Sequence, residues 1–344
     1  MRAVRVVRNG SPTDAIEVRS DVPQPEPGPD EVRIAVSAAS VNFGDIARVR
    51  GGVAAVMATP PFTLGMDVCG VVDAVGPGAE GWIGRRVVAM TPMSLGGMAD
   101  VAISGTAFDA PPELDDVEAA AFTLPFHVGY LGLHDRAGLA PGEVLLVRGG
   151  ASAVGTAAIQ LGIAAGARVI AVAGGLEKVA LCRELGAELV VDHTDGTDLF
   201  DHVMEHTDGH GADVAYDPIG GEQTEAVWTT LARGGRYVAV GFNDDPESGL
   251  TGRPLRKVSM ANISVIGVVL AYIDAPLDYR RFGINPFTPE DGRRVHAALL
   301  ELVAAGSIRP VVGRRIGLED VAAALEDHEA RRTSGRTVVD LSIG

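Results

Sequence analysis

The segment Val144-Leu-Leu-Val-Arg-Gly149-Gly150-Ala151-Ser152-Ala153-Val154-Gly155 carries residue types that could hold a phosphate. A short apolar run enters a turn of small residues, and the turn opens an alanine-rich helical pattern. Such a turn lets backbone N–H groups and a helix N-terminus face a pyrophosphate, whose charge the helix dipole favours. The spacing departs from G-x-G-x-x-G, with Ala153 where a small residue suffices. Ser152, Ala153 and Val154 are the expected phosphate-facing positions. Taken alone, the same residues also fit a close-packed strand-to-helix turn without a ligand. Further along stands Ala173-Gly174-Gly175-Leu176-Glu177-Lys178, where an acidic residue would bind the ribose 2′-OH of NAD. Gly174 and Gly175 leave room for a 2′-phosphate and Lys178 can supply charge to it, which favours NADPH. Glu177 opposes that choice, and Lys178 also fits a solvated helix lysine.

Four other candidates carry less. His202-Val-Met-Glu205-His206 fits the H-x-x-E-H pattern, which puts two histidines on one helix face, with His210 as a conceivable third zinc ligand. It lies between strands of the nucleotide-binding pattern, where a solvated polar helix is the better reading. Gly150-Ala151-Ser152-Ala153 begins like a nucleophile elbow, but Val154 stands where the closing glycine is required. Asp217 ends an apolar strand and so falls near a ligand crevice. His127 is a proton relay, an amide contact or a packed histidine.

Positioning these residues requires alternating strands and helices. Residues 123–272 supply them: apolar runs at 144–147, 168–173, 188–192, 214–217 and 237–241 are separated by helical patterns. That alternation implies a parallel sheet with crossover helices on both faces. Residues 1–122 read as strand and turn, with the helix-excluding connector PQPEPGPDE at 23–31. Residues 285–344 read helix, strand, helix, strand. Sixty residues make a poor independent domain, so this tail is expected to pack on the first block, with 273–284 as a connector.

The 344 residues suit two domains, and 47% apolar with 22% charged residues is the balance of a packed globular chain. A net charge of −16 argues against nucleic acid and against anionic lipid as partners. Two cysteines, Cys69 and Cys182, can build neither a disulfide framework nor a four-cysteine zinc site. No signal-peptide pattern and no apolar run of membrane-spanning length is present, so a reduced, cytoplasmic protein is expected.

Several long motifs occur in an order that resembles the medium-chain dehydrogenase/reductase superfamily, in its zinc-free quinone oxidoreductase branch. These are SAASVNFGDIARVRGG (37–52), PFTLGMDVCGVVDAVGPG (61–78), GGMADVAI (96–103), GEVLLVRGGASAVGTAAIQL (142–161), Asp217-Pro-Ile-Gly-Gly221 and Gly234-Gly-Arg-Tyr-Val-Ala-Val-Gly241. The resemblance covers nearly the whole chain. It implies an α/β fold: a Rossmann-type parallel sheet domain, 123–272, plus a partly β-barrel, GroES-like catalytic domain built from both chain ends, 1–122 with 285–344. It implies hydride transfer with NADPH and a cofactor-binding set of Asn42, His127, Ser152, Ala153, Val154, Gly174, Gly175, Lys178, His193, Ile219, Gly241 and Phe242. Asn42 and Asp45 are the implied catalytic positions, orienting the nicotinamide ribose or a substrate oxygen. Zinc-dependent relatives place Cys where Asn42 stands and His where Met66 stands, so no metal is expected. A tyrosine that some members carry after the Asn/Asp pair is replaced by Ala47-Arg48; this disfavours enoyl thioesters and leaves the proton to come from solvent.

The expectation is an NADPH-dependent reductase of a quinone or an α,β-unsaturated carbonyl. The rival is a non-catalytic NADPH-binding protein that kept the fold. The family also implies a homodimer through an edge strand at about 262–272, which is rich in β-branched residues.

Overall fold

The computed structural model describes residues 1–52, 58–240, 255–274, 277–281, 283 and 285–343. The chain divides into two compact units, Met1–Thr123 with Pro310–Gly344, and Leu124–Arg309.

In the first unit the alternating segments form antiparallel sheets. β1 (Ala3–Val6), β2 (Ile16–Arg19), β3 (Val32–Ser40), β4 (Phe62–Thr63), β5 (Asp67–Val75), β6 (Arg86–Met90), β7 (Val101–Ser104) and β8 (Thr106–Asp109) come from the N-terminal part. β1 lies between β2 and β4 in a three-stranded sheet. A seven-stranded sheet runs through β3, β5, β6 and β8, with β7 also on β3. Register shifts in β3 and β5 between Arg33 and Ile34 and between Val36 and Ala38 bend the sheet so that β3 serves several partners. The core beneath it gathers Ile34, Leu64, Val68, Val87 and Met98.

The second unit holds β9 (Val144–Arg148), β10 (Arg168–Ala173), β11 (Leu189–Asp192), β12 (Ala212–Asp217), β13 (Leu231–Val240) and β14 (Ser264–Val268). All are paired in parallel, in the order β11-β10-β9-β12-β13-β14. Counted from β9 this is 3-2-1-4-5-6, the doubly wound Rossmann arrangement, whose ligand crevice opens at the carboxyl ends of the strands where the order reverses. β9, buried along its whole length, needs no polar face and is accordingly VLLVR. β14 closes the sheet and is partly exposed, as an edge strand is, with Val265 49% exposed.

The chain returns to the first unit as β15 (Val312–Ile316) and β16 (Arg336–Asp340), which pair in parallel, with β16 antiparallel to β3. One boundary is thereby corrected: residues 285–309 group with the second unit, not with the first. The cause is the Pro289–Ala304 helix, whose buried face includes Val295, His296 and Leu299 and whose His296 bonds to His127. The stretch expected to be a plain connector contains a short helix, Leu277–Arg281. Among the described residues no helix is long and apolar enough to cross a membrane.

Candidate functional site

The turn after β9 is built by absences of side chain. Gly149 has φ +57°, a left-handed conformation. A Cβ at Gly155 would lie 2.1 Å from the Gly149 carbonyl oxygen, and one at Gly150 would lie 2.9 Å from Cys182 Sγ. Only glycine lets the Ala153–Ala164 helix begin this close to the strand. Ser152 caps that helix, its hydroxyl accepting the Gly155 N–H at 3.1 Å. The first N–H groups of a helix have no partner within it, so those of Ala153 and Val154 remain for an anion. Ser152 is exposed and Ala153 and Val154 are half-buried, as a ligand-facing turn requires.

β10 ends at Ala173 and is followed by Gly174 and Gly175, which carry no side chain. His193 packs on Gly174, where a Cβ would meet its Nε2 at 2.6 Å. The neighbouring acid is Asp192, at the end of β11. Its carboxylate accepts the Gly175 N–H at 3.1 Å and both the N–H and hydroxyl of Thr194, at 2.9 and 2.6 Å. Those donors hold it below the usual carboxylate range. Leu176, 86% exposed, and Lys178 open the Leu176–Glu184 helix beside this turn.

At the reversal point, Arg148 ends β9 and Asp217 ends β12. The guanidinium donates to Asp217 Oδ2 at 2.9 Å, and the Tyr237 hydroxyl donates to the same oxygen at 2.8 Å. The backbone N–H groups of Ile219 and Gly220 donate to Oδ1 at 2.8 and 3.0 Å. Asp217 therefore shapes the turn that carries Ile219, whose side chain lies over Gly149. This buried network answers for Asp217 structurally. Gly241 and Phe242 lie outside the described residues.

In the first unit, Asn42 precedes the Phe43–Arg50 helix and its side chain is buried in a polar cluster. Arg336 Nη2 donates to Ser40 Oγ, Asn42 Oδ1 and Asp67 Oδ2 at 2.7, 2.8 and 2.6 Å. Asn42 Nδ2 donates to Asp67 Oδ2 at 3.3 Å. Asp45 has no exposed surface; it accepts the Asn42 N–H at 2.9 Å and Arg48 Nη1 at 3.2 Å. Burial pushes its carboxyl up to about 6, against the pull of Arg48. Burial also raises Asp67, against Arg336. Asp45 thus fixes the loop that presents Asn42. Asn42 and Asp45 come together in one unit, whereas the glycine turns belong to the other. Ser40, Asp67 and Arg336 escaped the sequence reading, because a contact spanning 269 positions leaves no local pattern.

His127 has no exposed surface, and both ring nitrogens are engaged: Nδ1 lies 3.0 Å from the Tyr272 hydroxyl and Nε2 lies 3.1 Å from His296 Nδ1. The His202–His206 pair sits on the Leu199–His206 helix, where His206 lies 3.1 Å from a Glu188 oxygen. Among the described residues no group of three or more His, Cys, Asp or Glu has metal-holding geometry.

Residues 28–107 match the family model described as "Alcohol dehydrogenase GroES-like domain", and residues 153–282 the one described as "Zinc-binding dehydrogenase". The human "Quinone oxidoreductase" is 31% identical over 330 residues, which is 95% of this chain and 93% of that protein. The chain belongs to the medium-chain dehydrogenase/reductase superfamily, in its quinone oxidoreductase branch. A mycobacterial protein solved "complexed with NADPH" has a TM-score of 0.84 at 28% identity, covering 98% of this chain and 99% of that one. The "Phthioceranic/hydroxyphthioceranic acid synthase" of Mycobacterium tuberculosis is 31% identical over 319 residues, 92% of this chain, which spans only 14% of that protein's length.

Members of the superfamily bind a nicotinamide dinucleotide, and some bind zinc. A dinucleotide fits: Gly149, Gly150 and Gly155 form a cradle that a Cβ would fill, at the start of a twelve-residue helix. Zinc does not fit Asn42 and Met66, which offer a carboxamide and a thioether where that metal takes thiolate, imidazole or carboxylate. Asn42 is in addition bonded to Arg336 and Asp67.

Proposed function

We propose that this chain is an NADPH-dependent oxidoreductase that reduces a quinone or an α,β-unsaturated carbonyl by hydride transfer, without metal. The observation that carries the reading is the pair of turns at the carboxyl ends of β9 and β10. The first offers a glycine cradle and a helix N-terminus to a pyrophosphate. The second ends in Gly174-Gly175, with Asp192 held by its own loop and Lys178 on the adjacent helical turn. An anionic 2′-phosphate is better matched there than a bare ribose hydroxyl, since β10 itself ends without a carboxylate and the Asp192 carboxylate at the end of β11 is taken up by Gly175 and Thr194. Likeness to a protein solved with NADPH supports the same choice.

When bound, the dinucleotide supplies the hydride. The chain binds its diphosphate at Ser152, Ala153 and Val154 and its adenosine end at Gly174, Gly175, Lys178 and His193. Ile219 and the Asp217 turn border the crevice beside Gly149. Orientation and exclusion of water are the remaining contributions, and they lower the barrier by removing the search for a reactive geometry. In the first unit, Asn42 is a buried polar group held by Arg336. The exposed edge strand β14 supports a homodimer in which a second copy continues the sheet.

Cofactor choice is tested by titrating NADPH and NADH into the protein and following intrinsic fluorescence. NADPH should bind more tightly. Lys178→Ala should weaken NADPH by about 1–3 kcal/mol, the range of a charge-assisted contact, and leave NADH nearly unchanged. Equal affinity for both dinucleotides in the unmutated protein would overturn the assignment.

A further inference from the structure

Tyr272, His127 and His296 come from three separate elements of the second unit and meet inside it. His127 stands on the Thr123–Tyr130 helix, His296 on the Pro289–Ala304 helix, and Tyr272 on the segment that follows β14. Their exposures are 0%, 5% and 4%. The chain leaves β14 at the carboxyl edge of the parallel sheet, the edge from which the glycine turn leaves β9, and reaches Tyr272 shortly after. The helix bearing His127 continues into a π-helical turn, Leu131–Arg136, a geometry that concentrates at functional sites. Three polar side chains buried in one row are costly unless bonded, and well-packed apolar residues would often stabilise the place as well.

We propose that these three residues are a proton relay, with Tyr272 as the donor that protonates the reduced substrate. The proposal rests on the reductase reading above. Burial, reinforced by the neighbouring His296, holds His127 well below the ordinary histidine range, so its ring is neutral and carries one N–H. A neutral ring between a hydroxyl and an imidazole nitrogen has two arrangements. In one, His127 Nδ1–H donates to the Tyr272 oxygen and His296 Nδ1–H donates to His127 Nε2. In the other, every hydrogen bond runs the opposite way. The passage between them moves one proton. The Tyr272 O–H bond breaks as a new O–H or C–H bond forms on the substrate anion. The tyrosyl oxygen takes the His127 Nδ1 proton, His127 Nε2 takes the His296 Nδ1 proton, and water protonates His296 at Nε2. The two electrons arrive separately with the hydride from the nicotinamide, so each residue ends neutral and the sum is one solvent proton delivered. Burial holds the Tyr272 hydroxyl above the ordinary tyrosine range, and the charged groups that act on it are Asp135 on the π-turn and Asp291 and Arg294 on the 289–304 helix; Asp135 and Arg294 are paired with each other.

The test begins on the cofactor-free protein labelled with ¹⁵N-histidine. Long-range ¹⁵N–¹H spectra should show His127 neutral between pH 6 and 8, and Tyr272→Phe, which removes one oxygen, should change its tautomer populations. A doubly protonated His127 in the unmutated protein would overturn the relay without any variant. The second arm follows NADPH oxidation with a 2-alkenal. If the unmutated protein gives none with alkenals or quinones, the reductase reading fails while the spectra still judge the hydrogen-bonded chain. With turnover present, Tyr272→Phe should lower kcat roughly 10²-fold, the lower end for a lost general acid, with NADPH affinity unchanged. His296→Gln should alter the solvent isotope effect on kcat. An unchanged kcat and isotope effect in both variants would refute the relay.

Discussion

Replacing Arg148 by methionine removes the cation of a buried pair while keeping most of the side-chain volume. The pair is 2.9 Å long, with side-chain exposures of 11% for Arg148 and 0% for Asp217. At an effective dielectric of about 20, opposite charges at that distance attract by roughly 6 kcal/mol, offset by the desolvation of both. The variant recovers the desolvation of the guanidinium but leaves Asp217 charged and buried. Three donors remain on it: Tyr237 OH and the N–H groups of Ile219 and Gly220. The cost should therefore fall near the lower end of the range for a broken buried pair, about 3 kcal/mol. For a unit of about 150–250 residues this is a Tm loss of roughly 6–12 °C. Adding Asp217→Asn to Arg148→Met removes the stranded charge, because an amide oxygen can still accept the two backbone N–H bonds. The double variant should regain about half of the loss, which additivity forbids. Calorimetry of the four proteins measures it. An Arg148→Met variant within 2 °C of the unmutated protein, or a double variant with summed losses, would refute the account of the crevice.

Three further outcomes follow from the same geometry. Asp45 has a folded-state pKa of about 6 against an ordinary value of 3.8, so folding takes up a proton between them. Its stabilising share is full below pH 3.8 and is lost as pH rises through 6, an effect of up to about 3 kcal/mol; Asp45→Asn should flatten the stability profile over that window in urea titrations. An Asp45→Asn variant as steep as the unmutated protein would contradict the burial argument. Val265→Asp puts charge on the exposed face of β14 and should convert a dimer to a monomer by light scattering, whereas a monomer mass for the unmutated protein would remove the dimer. Prolonged chelation should leave NADPH oxidation within about twofold; stoichiometric zinc lost together with activity would overturn the reading of Asn42 and Met66.

What the sequence disclosed was what is local. The β9 turn was legible because strand, glycines, Ser152 cap and helix follow one another within a dozen residues. The resemblance implied an edge strand at about 262–272, and the sheet order places β14 at the edge. Three things were hidden by distance along the chain. The Pro289–Ala304 helix showed an apolar face but not its partner, so the boundary drawn at 285 fell short of the observed one at 310. Arg336 sat in an ordinary strand pattern, RTVVDL, with nothing to announce that it holds Ser40, Asn42 and Asp67. His127 was visible as a candidate, but Tyr272 and His296, 145 and 169 positions away, were not.

Reductase chemistry on a specific dinucleotide is read by following the NADPH absorbance band with a panel of quinones and 2-alkenals, each run in parallel with NADH. The expected result is enzyme-dependent loss of the band with at least one quinone or alkenal, and faster loss with NADPH than with NADH. Tight NADPH binding with no turnover across the panel would contradict it and leave a protein that holds the dinucleotide without using it.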